Sequence, residues 1–144
     1  MEDSPRIDLA ALLLRTALGI MFVAHALLKY IVFTPAGTVQ FFQSIGLPGP
    51  LAYVTIAVEF VGGLMLIFGV YTRAVAFALL PVLLGAAWAH SGNGWLFTSP
   101  KGGWEYPVFL AAAGIAVGLL GGGRFAFGAQ AQTRRAGFGL QRAD

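Results

Sequence analysis

Four long apolar stretches alternate with short polar breaks along the chain. They run roughly from Leu9 to Phe33, Leu51 to Val70, Ala74 to Ala89 and Tyr106 to Gly121. A helix needs about 17–25 mostly apolar residues to cross a bilayer. The first two stretches meet that length, and the third and fourth reach it only if their flanks are helical too. The pattern predicts an all-α fold, an integral membrane four-helix bundle over residues 1–128, with a polar tail over 129–144. The Gly62-Gly63 pair and the Gly114/Gly118 pair read as positions where helices pack closely. Two longer breaks fall at the same end of such a bundle. One, Thr34 to Pro50, carries Pro35, Pro48, Pro50 and a short amphipathic piece, "TVQFFQSI". The other, Ser91 to Glu105, carries Trp95 and Trp104, a residue type that anchors at the membrane interface.

Composition agrees with a bilayer as solvent. Of 144 residues 58% are hydrophobic and only 10% charged, with a mean hydropathy of +0.77; a soluble domain carries about 25% charged residues. The absence of cysteine excludes disulfides, thiolate metal sites and an internal dithiol redox step. The first stretch begins after Glu2 and Asp3 rather than a basic segment, and its apolar run is long for a signal peptide, so a retained helix is expected. Charge placement then orients the bundle. Four spans put both termini on one side, with Arg6, Arg73, Arg124, Arg134, Arg135 and Arg142, and Arg15 nearby; the other side holds Lys29 and Lys101. The positive-inside rule places both termini in the cytoplasm, in the cytoplasmic membrane of a bacterium or archaeon. The basic tail suits contact with anionic lipid. A faint repeat, "LGIMFVAH" against "LGAAWAH", points to a duplicated helical hairpin.

Ionisable residues inside spans are costly and tend to be functional. Arg15, His25 and Lys29 fall within an arc of about 80° on the first helix at 100° per residue. His25 and Glu59 each lie eight residues from the same end of adjacent antiparallel helices, roughly 12 Å deep, so a His25–Glu59 contact is expected. Lys29, one turn shallower, is placed to reach Glu59 from above or to meet Glu105 and His90 at the rim. A histidine beside a carboxylate passes protons near neutral pH, and a lysine holds an anionic ligand. Such a cavity suits a quinone head group or another lipophilic small molecule. The predicted roles are proton relay for His25 and Glu59, and ligand binding for Lys29, His90, Tyr106, Trp104 and Glu105. Haem held by His25 and His90, or a metal held by these histidines with Glu59, ranks below that reading. Nothing resembles a nucleotide fingerprint, and no nucleic-acid partner is expected.

Taken together, "LLRTALGIMFVAHALLK", "FFQSIGLPGPLAYVTIAVEFVGGLMLIFGVYTRAVA", "WEYPVFLAAAG" and "GGGRFAFG" resemble the DoxX family from about Leu12 to Phe127. The resemblance implies a four-helix membrane bundle. It implies an association with thiosulfate:quinone oxidoreductase, with membrane oxidoreductase complexes or with thiol and oxidative stress. It also marks His25, Lys29, Glu59, Arg73 and His90 as polar signature positions. Two departures stand out: Ala26 where the family usually has glycine, and Phe125-Ala126-Phe127 where a Ser-Leu-Asp type ending is usual. The leading expectation is a membrane subunit of a quinone-linked oxidoreductase, working with a second subunit. The alternatives are a non-catalytic small-molecule carrier with the Thr34–Pro50 loop as lid, or a scaffold, homo-oligomeric through its glycine-rich faces, that recruits a redox partner.

Overall fold

The computed structural model describes residues 4–127, and the tail over 129–144 lies outside the described residues. No strand occurs among the described residues. Helix α1 spans Ser4–Leu27 and runs on into a π turn, Leu28–Val32. A short helix α2 (Pro35–Ser44) follows, then α3 (Leu51–Phe68), α4 (Thr72–His90) and α5 (Glu105–Leu120). Three of these are long and apolar enough to cross a membrane: Pro5–Val32, Leu51–Phe68, and Thr72–Asn93 with its short 3-10 extension. The third stretch is thus completed by its flanks. The fourth helix is apolar but has 16 residues, about 24 Å at 1.5 Å per residue, just under the span of a bilayer core.

Contacts of α1 with α3, α3 with α4, α4 with α5 and α5 with α1 close the four long helices into a ring. Leu18, Phe22, Leu66, Leu79, Leu83 and Val117 form its core. The most extensive contacts lie within α1/α3 and α4/α5, the two hairpins marked by the sequence repeat. The repeat does not extend to the packing. A Cβ on Gly19 would stand 2.7 Å from the Gly63 carbonyl oxygen, and one on Gly63 2.8 Å from that of Gly19, whereas Gly85 faces open space. Backbone meets backbone at the α1–α3 crossing, which only small residues permit. Gly62 admits Leu79 and Gly118 the Phe77 ring in the same way.

At the end where α3 stops, Arg15 is 1% exposed and has no carboxylate partner among its described bonds. Its guanidinium donates from Nη1 to the carbonyls of Leu66 (2.7 Å) and Ile67 (2.5 Å), and from Nε to Gly122 (2.7 Å). Nη2 donates to the carbonyls of Arg124 (3.1 Å) and Phe125 (3.3 Å). The last carbonyls of a helix lack partners of their own. Here Met65 and Leu66 accept from Val70 and Gly69 across a left-handed glycine, Gly69 at φ 71°, and Phe68 accepts from Phe127. That is a Schellman ending, with Arg15 adding a cation at the negative pole of the helix dipole. A side chain at Gly69 would meet Ala126 and the Arg15 guanidinium within 2.9 Å. The segment after α5 is therefore strapped across α1 and α3 through main-chain oxygens.

Gly63→Leu is expected to destabilise the bundle by about 1–3 kcal/mol or more through overpacking, lowering the melting point of the detergent-solubilised protein by circular dichroism. Gly85→Ala should leave it unchanged or raised. Arg15→Lys should also lower it, because an ammonium lacks the planar fork that reaches the end of α3 and the turn after α5 at once.

Candidate functional site

The opposite end of the ring carries α2 and the loop over 91–104, and most of the polar residues singled out in the sequence converge there. Helix α1 reaches this end travelling along its own axis, and α3 starts from it. Cβ atoms tilt toward the N-terminus of their helix. Lys29 on α1 therefore leans into the bundle, while Glu59 on α3 leans out toward it. The result is an ion pair with both carboxylate oxygens engaged: Lys29 Nζ lies 2.9 Å from Oε1 and 2.8 Å from Oε2. Glu59 is 5% exposed. A buried charge pair with paired hydrogen bonds is tolerable in an apolar interior, whereas either charge alone is not.

His25 takes a different direction from the expected one. Its Nδ1 lies 2.8 Å from the Met21 carbonyl on its own helix, and its ring stacks on Tyr106 of α5 at 6.1 Å between centroids and 28° between planes. The residue count placed His25 and Glu59 at one depth, but azimuth separates them. The arc that holds Arg15, His25 and Lys29 is wide enough to face two neighbours, and its His25 edge turns to α5. A carbonyl only accepts, so Nδ1 carries the proton of this contact and Nε2 is the ring nitrogen left for another partner. No hydrogen bond to Nε2 occurs among the described residues.

The 91–104 loop is pinned by Asn93, which the sequence did not single out, together with residues that it did. Asn93 donates to the carbonyls of Lys101 (3.2 Å) and Gly102 (2.9 Å), which uses both of its amide hydrogens. His90 Nδ1 then donates to Gly102 at 3.2 Å, so His90 holds the loop at the rim. Trp95 and Trp104 meet edge to face at 4.4 Å, and the Glu105 carboxylate accepts from the Phe97 amide at 2.8 Å. Beside them opens an apolar groove of about 490 Å³ lined by Trp95, Phe97, Tyr106, Val108 and Phe109, with Glu105 at its polar edge. Tyr106 is shared between this groove and the His25 stack. The structure thus groups Glu105 and Tyr106 directly at the groove, Trp104 behind Trp95 and His25 behind Tyr106, while Lys29 and Glu59 form a separate pair on the α1–α3 side. No group of three or more residues able to hold a metal ion occurs among the described residues.

A family model for DoxX matches residues 10–92. This chain belongs to the DoxX family. It is also 44% identical over 79 residues to a protein of Bacillus subtilis (strain 168) named "Putative oxidoreductase CatD", a match covering 55% of this chain and 58% of that protein. No solved structure matches. The chain is accordingly a multi-pass helical membrane protein with an oxidoreductase-associated kinship. The two departures from the DoxX pattern have a structural reading. Ala26 is 1% exposed, so the interior has room for its methyl. The closing turn serves Arg15 through backbone carbonyls, which Phe125-Ala126-Phe127 supplies as well as any other residues. In the Thr72-Arg73 turn, Arg73 is exposed, and the fully buried Thr72 hydroxyl has no partner among the described residues.

Glu59→Gln is expected to cost about 3–5 kcal/mol by stranding Lys29, read as a loss of melting temperature. The double variant Lys29→Met/Glu59→Gln should recover most of that loss, and Thr72→Val should be neutral or slightly stabilising because it removes an unpaired buried hydroxyl.

Proposed function

We propose that this DoxX protein is the membrane subunit of a quinone-linked oxidoreductase. In this reading it takes the quinone ring at the α2 end, against α5. The observation that carries the reading is the His25–Tyr106 stack at the edge of an apolar groove of about 490 Å³, a size and character suited to a small lipophilic ligand. The aromatic wall receives the ring. The Tyr106 hydroxyl donates to a quinone carbonyl, and His25 Nε2 accepts from a quinol hydroxyl or, when protonated, returns that proton. Glu59 shares no hydrogen bond with His25, so it joins a relay only across an intervening ligand or water. The Lys29 ammonium acts on an anionic ligand through its field while it stays paired. Glu105 and Trp104, with His90 behind them, shape the mouth.

Further support comes from the kinship with a protein named as an oxidoreductase and from the charge pattern. Arg6, Arg73 and Arg124 are exposed at the end opposite the groove, which suits cytoplasmic termini under the positive-inside rule and a groove on the outer half of a bacterial or archaeal cytoplasmic membrane. With no cysteine in the sequence, the chain has no dithiol to carry electrons, and a second subunit supplies or accepts them.

The test is to purify the protein in mild detergent, record the oxidised-minus-reduced absorption and identify extracted lipophilic molecules by mass spectrometry. Near-stoichiometric quinone is expected. It should be depleted in a Tyr106→Ala variant, and quinone-dependent turnover should fall about 10²-fold or more in His25→Ala. Retained phospholipid alone, with turnover indifferent to both substitutions, overturns the proposal. Quinone bound without turnover in any subunit combination assigns the protein to the carriers instead.

A further inference from the structure

Helix α2 meets the one irregular stretch of α1. At Leu28 the main chain leaves α winding and makes the π turn, with the Phe33 amide donating to the Leu28 carbonyl at 3.0 Å. It closes the C-terminal end of α1, a place where such turns occur. Lys29 sits within it. The Lys29 side chain makes both bonds of the ion pair with Glu59, and its backbone carbonyl accepts from the Thr38 hydroxyl of α2 at 3.2 Å. Thr38 is 3% exposed, and its single hydroxyl proton is shared between this carbonyl and that of Thr34, which lies closer at 2.9 Å. Between the two helices, Thr34 stands at φ 63° and ψ 154°, a conformation almost confined to glycine that other residues hold only when their surroundings impose it. Helix α2 also packs on α3, the helix that carries Glu59. One short helix therefore touches Lys29 through its main chain and the partner helix through its face.

We propose that α2 is a latch that keeps the Lys29–Glu59 pair closed, with Thr38 as the positioning residue and Thr34 as the strained hinge. While Thr38 holds the Lys29 carbonyl, the π turn persists and the ammonium stays aimed at Glu59. When α2 lifts, that bond breaks and the turn relaxes to α winding. Relaxation rotates Lys29 about the helix axis and parts the ammonium from the carboxylate. The strain at Thr34 opposes the closed state, so closure depends on seating Thr38 and the buried Phe42. The latch does not rest on the quinone reading; it admits any ligand that approaches Glu59 from the α2 end.

The sequence itself provides the assay, because Lys29 and Lys101 are its only two lysines and Lys101 is exposed. The full chain is treated with a small acylating amine reagent, and the ratio of modification at Lys29 to that at Lys101 is read by peptide mass spectrometry. Glu59→Gln gives the ratio for an open pair. Thr38→Val is expected to raise the ratio up to about tenfold toward that value, in proportion to one lost hydrogen bond, while Thr38→Ser, which keeps the hydroxyl, stays within about twofold of wild type. Phe42→Ala, which removes the buried apolar anchor of α2, should also raise the ratio. An unchanged ratio in a Thr38→Val protein with wild-type helix content and melting overturns the latch. If that variant does not fold, a ratio at or below wild type in Phe42→Ala overturns it.

Discussion

A guanidinium in the apolar interior of a spanning bundle must satisfy five N–H donors without water. Arg15 does so with backbone carbonyls alone, from the last turn of α3 and from the turn that follows α5. Much of the remaining geometry follows from that arrangement. The contact with Leu66 and Ile67 sets the height of α1 against α3. At that height Gly19 lies opposite Gly63, and the backbones can close on one another. The close crossing then holds the far ends of the two helices near enough for Lys29 to reach Glu59. Arg15 is thus sealed inside a structural cage, and its burial argues against a role in holding an anion.

The two ends of the α1–α3 pair solve the same electrostatic problem differently. Carbonyl dipoles neutralise Arg15, and their disposition is fixed by helix termini. A carboxylate neutralises Lys29, and a carboxylate can take up a proton or exchange its partner. Only the second arrangement can therefore change its charge or its partner. It lies at the end that also holds the irregular turn, the short helix, the histidines and the aromatic groove, while the Arg15 end holds tight turns and glycine.

Much of this was legible in the sequence. Hydropathy marked the four long helices, because a bilayer demands continuous apolar runs. The glycine pairs marked close packing, because membrane helices have few other ways to approach. The α2 helix was visible only as an amphipathic fragment, although Thr34-Pro35 is a readable start: the Thr34 hydroxyl accepts from the Gly37 amide and proline fits the first helical position. What could not be read was azimuth. Counting residues put His25 and Glu59 at one depth, but which neighbour each faces depends on ring order in the bundle. The π turn was hidden too, since nothing in "LKYIV" announces a change of winding, and without it the roles of Thr38 and Lys29 are invisible. Asn93 escaped because its job is to bind two carbonyls of a loop that exists only once folded.

The Arg15 cage has a consequence for how the chain is made. Synthesis delivers Arg15 early, its two α3 acceptors some fifty residues later, and the remaining three only when the chain has passed Phe125. Until then the guanidinium is held in part, and the first helix keeps a tendency to slide toward water or headgroups. The last described residues, which form no helix of their own, therefore act as the closing stitch of membrane assembly. A chain halted before Gly122 carries every described helix and still lacks three of the acceptors that fix the first of them in register.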